Sequence, residues 1–160
     1  MSEDGDFREP HLRQGDFLGA FAVLESPEGI LLVQNRRHIG GEEVLTWDLP
    51  GGQVEPGETL RAALDRELEE ELGVCPGGAT DFLFLQEGVR SLKKAPPYVW
   101  RSFFFRVESW NGDPAPGSEI LAVRWARADQ MSELLQAPYH GSFLDWLRGG
   151  GTYFSSSWVD

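Results

Sequence analysis

The order of the predicted elements indicates an α/β fold, an α/β/α sandwich with a mixed β-sheet. Strand-like segments lie on both sides of one strongly helical segment, and two shorter helical segments follow them. The predicted strand 98–107 carries three consecutive phenylalanines, which must alternate between the two faces of a sheet and therefore require cover on both. A chain of 160 residues with 41% hydrophobic content forms one domain with its own core. We expect residues 1–14, which are polar, to form a flexible arm and residues 15–160 to form this domain.

Six segments are predicted to be strands, because each is apolar or β-prone and is bounded by turn residues. They are 17–24, 30–34, 44–49, 81–86, 98–107 and 120–126. Residues 87–97 are predicted to be a long, turn-rich connection, and residues 129–136 and 142–147 to be two short helices. The end of the chain, with Tyr153, Phe154 and Trp158, is too apolar to remain in water. We expect it to pack on the domain or on a second subunit, which would make the protein a homodimer.

Residues 59–72 are predicted to form the main helix. Leucines recur every four residues and give this helix one buried stripe, formed by Leu60, Leu64, Leu68 and Leu72. Thr59 is the predicted N-cap, and Gly73 is predicted to end the helix in a left-handed conformation.

Three glutamates of this helix, Glu67, Glu70 and Glu71, lie within about 100° of one another around the helix axis. Glu67 and Glu71 fall at the margin of the leucine stripe and are half turned inward. Like charges three or four residues apart destabilise a helix by roughly 0.2–0.5 kcal/mol per pair, and partial burial raises that cost. A cation would relieve the repulsion, and oxygen ligands without His or Cys suit Mg²⁺ or Mn²⁺ rather than zinc. Since Mg²⁺ is often shared with substrate phosphates, we expect a small phosphorylated substrate.

The segment 52–74 resembles the signature sequence of the Nudix hydrolase family, the MutT-like enzymes. Every fixed position of that signature is matched, by Gly52, Glu58, Arg66, Glu67, Leu68, Glu70, Glu71, Gly73 and Val74. The resemblance covers nearly the whole chain and implies a Nudix-type fold and hydrolysis of a diphosphate bond by metal-activated water.

The resemblance also implies roles for individual side chains. Glu67, Glu70 and Glu71 resemble the metal ligands, Glu58 supports the loop or a water-mediated ion, and Arg66 orients a neighbouring carboxylate. Outside the signature, a further acidic residue often completes such a site.

For this further acid we favour Glu119 over Glu87, although spacing fixes neither. The general base is left open among Glu67, Glu71 and Glu119.

Substrate contacts are expected from residues on either side of the third predicted strand. Gly51 and Gly52 lack a Cβ and let the backbone approach a ligand closely. Arg36 and Arg37 are candidates to bind phosphates or a base edge, because guanidinium groups make planar bidentate contacts. Asp48 has no assigned role.

The favoured substrate is a nucleoside di- or triphosphate or another nucleoside diphosphate derivative. One alternative is an enzyme similar to isopentenyl-diphosphate isomerase, which would require a catalytic cysteine. Cys75, the sole cysteine, is poorly placed for that and is expected to pack after the helix. The other alternative is a non-catalytic nucleotide-binding module, which would not need a costly carboxylate cluster.

Composition narrows the partners and the compartment. A net charge of −12 argues against strong binding to polymeric nucleic acid, because such binding depends on Lys and Arg neutralising phosphates. One cysteine cannot form an internal disulfide, and no apolar run approaches membrane length. We expect a cytoplasmic protein without a membrane partner.

Overall fold

A computed structural model describes residues 15–160, so the predicted arm at 1–14 lies outside the described residues. The strands are β1 (Phe17–Ser26), β2 (Gly29–Ile39), β3 (Glu42–Asp48), β4 (Gly51–Gln53), β5 (Cys75–Pro76), β6 (Thr80–Ser91), β7 (Tyr98–Val107), β8 (Trp110–Asn111), β9 (Ala122–Ala126), β10 (Tyr153–Ser155) and β11 (Trp158–Val159). The α-helices are α1 (Leu60–Leu72), α2 (Met131–Leu134) and α3 (Gly141–Gly149), and short 3-10 turns span Ala128–Gln130 and Pro138–His140.

The main sheet has the order β10–β6–β7–β1–β2–β3, with β4 beside β1, β9 beside β2 and β11 beside β6. The β1–β7, β6–β10 and β6–β11 pairs are parallel, whereas the other pairs in this sheet are antiparallel. The sheet is therefore mixed, as the sequence predicts.

Strand β1 shows why the sheet is covered on both faces. Its side chains alternate, so that Phe21 and Val23 join the core beneath α2 and α3, while Ala22 and Leu24 join the core beneath α1. The helix stripe completes the second core, since Leu64, Leu68 and Leu72 are almost fully buried. Burying a leucine side chain contributes about 1.5–3 kcal/mol. The predicted α/β/α sandwich is confirmed.

Both ends of α1 form as the sequence predicts. The hydroxyl of Thr59 accepts a hydrogen bond from the amide of Ala62 at 3.0 Å. Gly73 ends the helix at φ 70°, and its amide donates to the carbonyl of Glu69. Residues in this left-handed region are commonly glycine, because glycine has no Cβ that would clash with the backbone there.

Strand β6 is longer than predicted, because its second half pairs with the start of β7 on one side and with the end of the chain on the other. Residues 87–91, predicted to be a connection, accept hydrogen bonds from the amides of Ser156 and Asp160. Since this partner lies more than 60 residues away along the chain, no local pattern indicates it.

The aromatic end packs on its own domain. The ring of Phe154 lies edge-on to Phe84 at 5.3 Å, and the Arg90 guanidinium lies 4.2 Å from the ring centroid of Trp158. Arg90 also binds both carboxylate oxygens of Asp160, at 2.8 and 3.0 Å. The apolar end is thus accounted for within one chain, and the homodimer stays a prediction.

Three smaller expectations concern the helix at 129–136, the packing of Cys75 and membrane-spanning segments. The helix predicted at 129–136 is helical only at Met131–Leu134, after a 3-10 turn. Cys75, expected to pack after the helix, is exposed. Among residues 15–160, no helix is long and apolar enough to cross a membrane.

Candidate active site

Two of the three helix glutamates point into the protein. Glu67 and Glu71 are each only 6% exposed, whereas the Glu70 side chain is 51% exposed. The inward pair lies one turn apart on α1, at the side of the leucine stripe that the sequence indicates. Carboxylates buried to this degree need compensating hydrogen bonds or charge.

One source of compensation is the turn that connects β3 to β4. The amide of Gly51 donates a hydrogen bond to Oε1 of Glu71 at 3.0 Å. Gly51 has φ 140°, and a Cβ there would lie 2.2 Å from the carbonyl oxygen of Ala20. Glycine is therefore required for this turn to lie against β1 while its amide reaches the helix. Gly52, the next residue, is buried in β4.

Arg66 joins the remaining carboxylates. Its Nε and Nη2 bind the two oxygens of Glu58 at 2.8 and 2.9 Å, and its Nη1 binds Glu67 at 3.1 Å and Glu70 at 3.3 Å. Nη2 also donates to the carbonyl of Gln53 at 3.0 Å. Three glutamates thus share one guanidinium, which fixes the loop before the helix to the helix itself.

These contacts change the acidity of both partners. The hydrogen bonds from Arg66 lower the pKa of Glu58 to about 2, although partial burial opposes the shift. The same hydrogen bonds raise the pKa of Arg66 above its ordinary value. Glu58 is therefore ionised over the whole physiological range.

A second loop lies against the C-terminal end of α1. The amides of Ala115, Gly117 and Ser118 donate to the carbonyls of Leu72, Glu71 and Glu70, at 3.1, 2.8 and 2.8 Å. These bonds satisfy carbonyls that the helix itself leaves unpaired.

Glu119 follows directly in this loop at φ 63°, the only positive φ of a non-glycine residue within 15–160. Such a conformation costs free energy and is more frequent at functional sites. The hydrogen bonds from Gly117 and Ser118 bring the loop of Glu119 to the glutamate helix.

Glu87, the competing candidate, is held elsewhere. It lies on β6, where Tyr153 and Arg101 bind its carboxylate at 2.7 Å each. Their hydrogen bonds lower its pKa.

The two candidate arginines lie on opposite faces of β2, because the strand extends to Ile39 and not to residue 34 as predicted. Arg36 is exposed and contacts Glu43 at 3.2 Å. Arg37 is only 6% exposed, and its Nη2 lies 3.2 Å from Oδ2 of Asp48. Any phosphate contact by Arg37 would have to compete with this buried carboxylate, whereas the carboxylate that Arg36 contacts is exposed to solvent.

Asp48 is the centre of a buried cluster that sequence analysis left without a role. Its Oδ2 accepts from Asn35 at 2.9 Å and Thr46 at 2.8 Å, in addition to Arg37. Its Oδ1 accepts from the Tyr139 hydroxyl at 2.8 Å.

His140 completes the cluster. Its Nε2 lies 2.8 Å from Oδ1 of Asp48 and 3.0 Å from the carbonyl of Trp47. Since both neighbours are acceptors, Nε2 carries the proton.

Burial opposes ionisation of Asp48, but the charge of Arg37 and the hydrogen bond from His140 outweigh it. The pKa of this carboxyl is well below its usual range. Burial and the adjacent Asp48 raise the pKa of Tyr139, which therefore remains a hydroxyl donor. The cluster is a fixed anion with its donors, on the face of the sheet opposite α1.

The cluster borders a narrow crevice between the sheet and residues 138–143. The crevice contains about 350 Å³ of empty space, including the part open to solvent. Its walls are mostly aromatic, with Phe21 and Phe104 on the sheet and Phe143 on α3. Asp48 and Leu49 line it just before the turn that reaches Glu71.

Within residues 15–160, no group of three or more His, Cys, Asp or Glu side chains already converges in a geometry that could hold a metal ion. The donor set itself fits a hard divalent cation. Glu67, Glu70 and Glu71 supply only oxygen, and two of them are buried where added positive charge would stabilise them.

A family model described as the NUDIX domain matches residues 16–147. The chain belongs to the Nudix hydrolase family. Within this family it is MutT-like and acts as a pyrophosphohydrolase on nucleoside diphosphate derivatives.

Curated relatives extend this similarity over most of the chain. A MutT-like protein of Streptomyces ambofaciens is 29% identical over 156 residues, which covers 98% of this chain and 91% of the relative. The ADP compounds hydrolase NudE of Escherichia coli is 33% identical over 136 residues, covering 75% of this chain and 67% of NudE. An uncharacterised Nudix hydrolase of Bacillus subtilis, YvcI, is 29% identical over 132 residues, covering 80% and 77%.

Solved structures show the same fold. The MutT protein from Bacillus halodurans superposes with a TM-score of 0.70 at 19% identity, covering 89% of this chain and 90% of that one. The E. coli ORF135 protein gives a TM-score of 0.65 at 23% identity, covering 84% and 87%. At this level of identity the likeness establishes the fold and leaves the substrate open.

Proposed function

We propose that this enzyme hydrolyses the diphosphate bond of a nucleoside di- or triphosphate, or of a closely related nucleoside diphosphate derivative, in a reaction that depends on Mg²⁺ or Mn²⁺. The observation that carries the proposal is the buried pair Glu67 and Glu71 on a helix of the Nudix signature, with the Gly51 amide on Glu71. A fold needs no such pair for its stability, because buried like charges are unfavourable.

The names of relatives support the substrate class. NudE acts on ADP compounds, and an 8-oxo-dGTP diphosphatase of Haemophilus influenzae is 37% identical over 95 residues, covering 59% of this chain and 65% of the relative. All these substrates share a nucleoside attached to a diphosphate unit.

Glu67, Glu70 and Glu71 would hold the cation in this proposal. A divalent ion at such a site lowers the pKa of water and neutralises charge on phosphate oxygens. Glu70 is the most exposed of the three, with 51% of its side chain accessible to solvent.

The surrounding residues keep the three glutamates in place. Glu58 orients Arg66, and Arg66 in turn binds Glu67 and Glu70, so one guanidinium links the loop carboxylate to two of the three glutamates. The attacking water gives its proton to one of Glu67, Glu71 and Glu119. The backbone at Glu119 is strained, and its loop lies against the C-terminal end of α1. Both observations support Glu119 as a participant in the proton transfer.

Phosphate recognition is assigned to the turn and to β2. The amide of Gly51 binds Glu71, and a larger residue at Gly51 could not follow the same path; Gly52 is the next residue, in β4. Arg36 is exposed at the end of the neighbouring strand and is the better placed of the two arginines, since Arg37 is buried against Asp48.

We further propose a cytoplasmic location, because the sole cysteine forms no internal disulfide and is exposed. The strongly acidic charge supports small nucleotides, rather than polymeric nucleic acid, as the ligands.

The proposal is tested by incubating the protein with a panel of nucleoside di- and triphosphates and nucleotide-linked diphosphates, with Mg²⁺, with Mn²⁺ and with EDTA. Chromatography of the products identifies the bond that is cleaved. We expect cleavage of a diphosphate bond that EDTA abolishes and that Glu70→Gln strongly reduces. If no member of the panel were cleaved with either cation, the proposal would be wrong.

A further inference from the structure

An aromatic face lies on the α1 side of the sheet and is formed by Phe82, Leu85, Phe103 and Phe105. The ring of Phe82 lies 6.3 Å from that of Phe103 and 5.8 Å from that of Phe105. Phe105 borders the core beneath α1, whereas Phe82 and Phe103 belong to neither core. Phe82 is 50% exposed, so a large apolar ring is left in water. A single exposed apolar residue needs no explanation, but a contiguous apolar face marks an interaction site.

Three successive cross-strand pairs of β6 and β7 lie on this side of the sheet. They are Phe82 with Phe105, Leu85 with Phe103, and Glu87 with Arg101. The third pair is charged: Nε of Arg101 lies 2.7 Å from Oε1 of Glu87, and these side chains are 44% and 30% exposed. Asp16 also contacts Arg101, at 3.8 Å. The aromatic face therefore ends at a border where a positive and a negative group lie side by side.

We propose that the aromatic face binds a second copy of this chain, about a two-fold axis that runs between β6 and β7 and parallel to them. Such an axis places β6 of one copy over β7 of the other. Because Phe82 and Phe105 are neighbours in the register, Phe82 then lies opposite Phe105 of the second copy. Leu85 lies opposite Phe103 of the second copy for the same reason. This inference goes beyond the proposed function and does not depend on it.

The charges at the border favour a second copy as the occupant. The same axis places Arg101 opposite Glu87 of the second copy, and Glu87 opposite Arg101 of the second copy. Both juxtapositions are attractive, so the face is complementary to itself, as a two-fold interface requires. The net charge of −12 opposes the approach of two copies, which makes this local match of opposite charges necessary.

The size of the aromatic face indicates a weak, reversible dimer. An aromatic side chain covers about 150–250 Å², so the half-exposed Phe82 leaves roughly 100 Å² in water. Tyr153 extends the face, since it pairs with Leu85 and is 57% exposed. A standard stable interface takes about 800 Å² from each partner, and this face with its charged border is smaller.

The proposed interface lies away from the glutamate site. Strand β1 separates β7 from β4, and Gly51, whose amide binds Glu71, is the first residue of β4. The dimer therefore leaves the turn beside the glutamates open. The activity per chain should be the same in the monomer and in the dimer.

Analytical ultracentrifugation tests the proposal on the full chain, from about 1 μM to about 300 μM, the range in which small interfaces associate. We expect the average mass of the wild type to rise from 17.9 kDa toward twice that value. Phe82→Glu should weaken this association at least about tenfold, because it places a charge at the centre of the apolar contact.

Leu45→Glu is the matched control. Leu45 is likewise an exposed apolar side chain on a strand, 57% exposed on β3, but it is not part of the aromatic face. The variant adds the same charge to the chain, so any effect of net charge alone is the same. Its dimer Kd should change less than about twofold.

A charge exchange tests the two-fold arrangement. Arg101→Glu leaves two negative side chains at the border, and Glu87→Arg leaves two positive ones. Each variant alone should associate at least about fivefold more weakly than the wild type. An equimolar mixture should recover association, because opposite charges then meet across the interface. Repulsion within each chain is unchanged by mixing and cannot produce this recovery. If Phe82→Glu fails to fold, the charge exchange decides the outcome.

The inference is overturned if the wild type stays at 17.9 kDa over the whole range, if Phe82→Glu associates like the wild type, or if the mixture associates no better than its components. Association that appears only after removal of residues 1–14 would assign the aromatic face to that segment. A chain that is monomeric in both forms would leave the face to a different protein. Either result would refute the proposal.

Discussion

Replacing Asp48 with asparagine tests how strongly the buried cluster stabilises the fold. The Asp48→Asn variant would keep the shape of the side chain but would remove the negative charge that lies 3.2 Å from the guanidinium of Arg37, a residue that is 6% exposed. Removing one partner of a buried ion pair costs about 3–5 kcal/mol. With a urea m-value of about 2 kcal/mol/M for a domain of this size, the unfolding midpoint should fall by about 1.5–2.5 M.

The matched control is Asp65→Asn, the same chemical change in an exposed pair. Asp65 binds Arg61 at 3.0 Å, and both side chains are more than 40% exposed. Such pairs contribute about 0.5 kcal/mol or less, so the midpoint should move by less than about 0.3 M. Urea unfolding followed by tryptophan fluorescence at pH 7 measures both variants. Equal, small shifts would refute the claim that the Asp48–Arg37 pair is a buried charge interaction.

Three further predictions concern the glutamate helix and its turn. Glu70→Gln and Glu71→Gln should each lower kcat by several orders of magnitude, as measured by steady-state kinetics. The midpoint of thermal unfolding, measured by calorimetry, should be unchanged or higher, because one repelling charge is removed. Full activity in both variants would contradict the metal assignment. Because the folded-state pKa of Glu58 is lowered from 4.5 to about 2, its stabilising contribution is present above about pH 4.5 and is lost as the pH falls toward 2. In urea unfolding across this range, the free energy of unfolding of Glu58→Gln should depend less on pH than that of the wild type. The same pH dependence in both proteins would argue against the Arg66 contact. Gly51→Ala should lower the free energy of unfolding by about 1–3 kcal/mol or more, because φ is 140° and the added Cβ would lie 2.2 Å from the Ala20 carbonyl oxygen. An unchanged midpoint of urea unfolding would show that the turn adopts another path.

The signature helix could be predicted from sequence because its determinants are local. The leucine stripe, the Thr59 cap and the terminal Gly73 all lie within one short segment, and each has a direct physical preference. The inward placement of Glu67 and Glu71 follows from the same helical period. Their proposed role as metal ligands remains a prediction.

The Asp48 cluster could not be predicted, because it is assembled from distant segments. Tyr139 and His140 are 91 and 92 residues from Asp48 in sequence. One signal was present: if β2 continues through Arg37, alternation turns Asn35 and Arg37 to the same face as each other. The sequence prediction ended that strand at residue 34 and therefore placed Arg37 in the connection after it, whereas the strand continues to Ile39.

The pairing of β6 with the end of the chain has a consequence for how shortened forms of this protein would behave. Without residues 152–160, the outer side of β6 would present a row of unsatisfied amides and carbonyls, the kind of border along which chains aggregate. Arg90, which is buried, would at the same time lose the carboxylate of Asp160. Poor solubility of a truncated form would therefore reflect an unprotected sheet margin, and it would say little about catalysis.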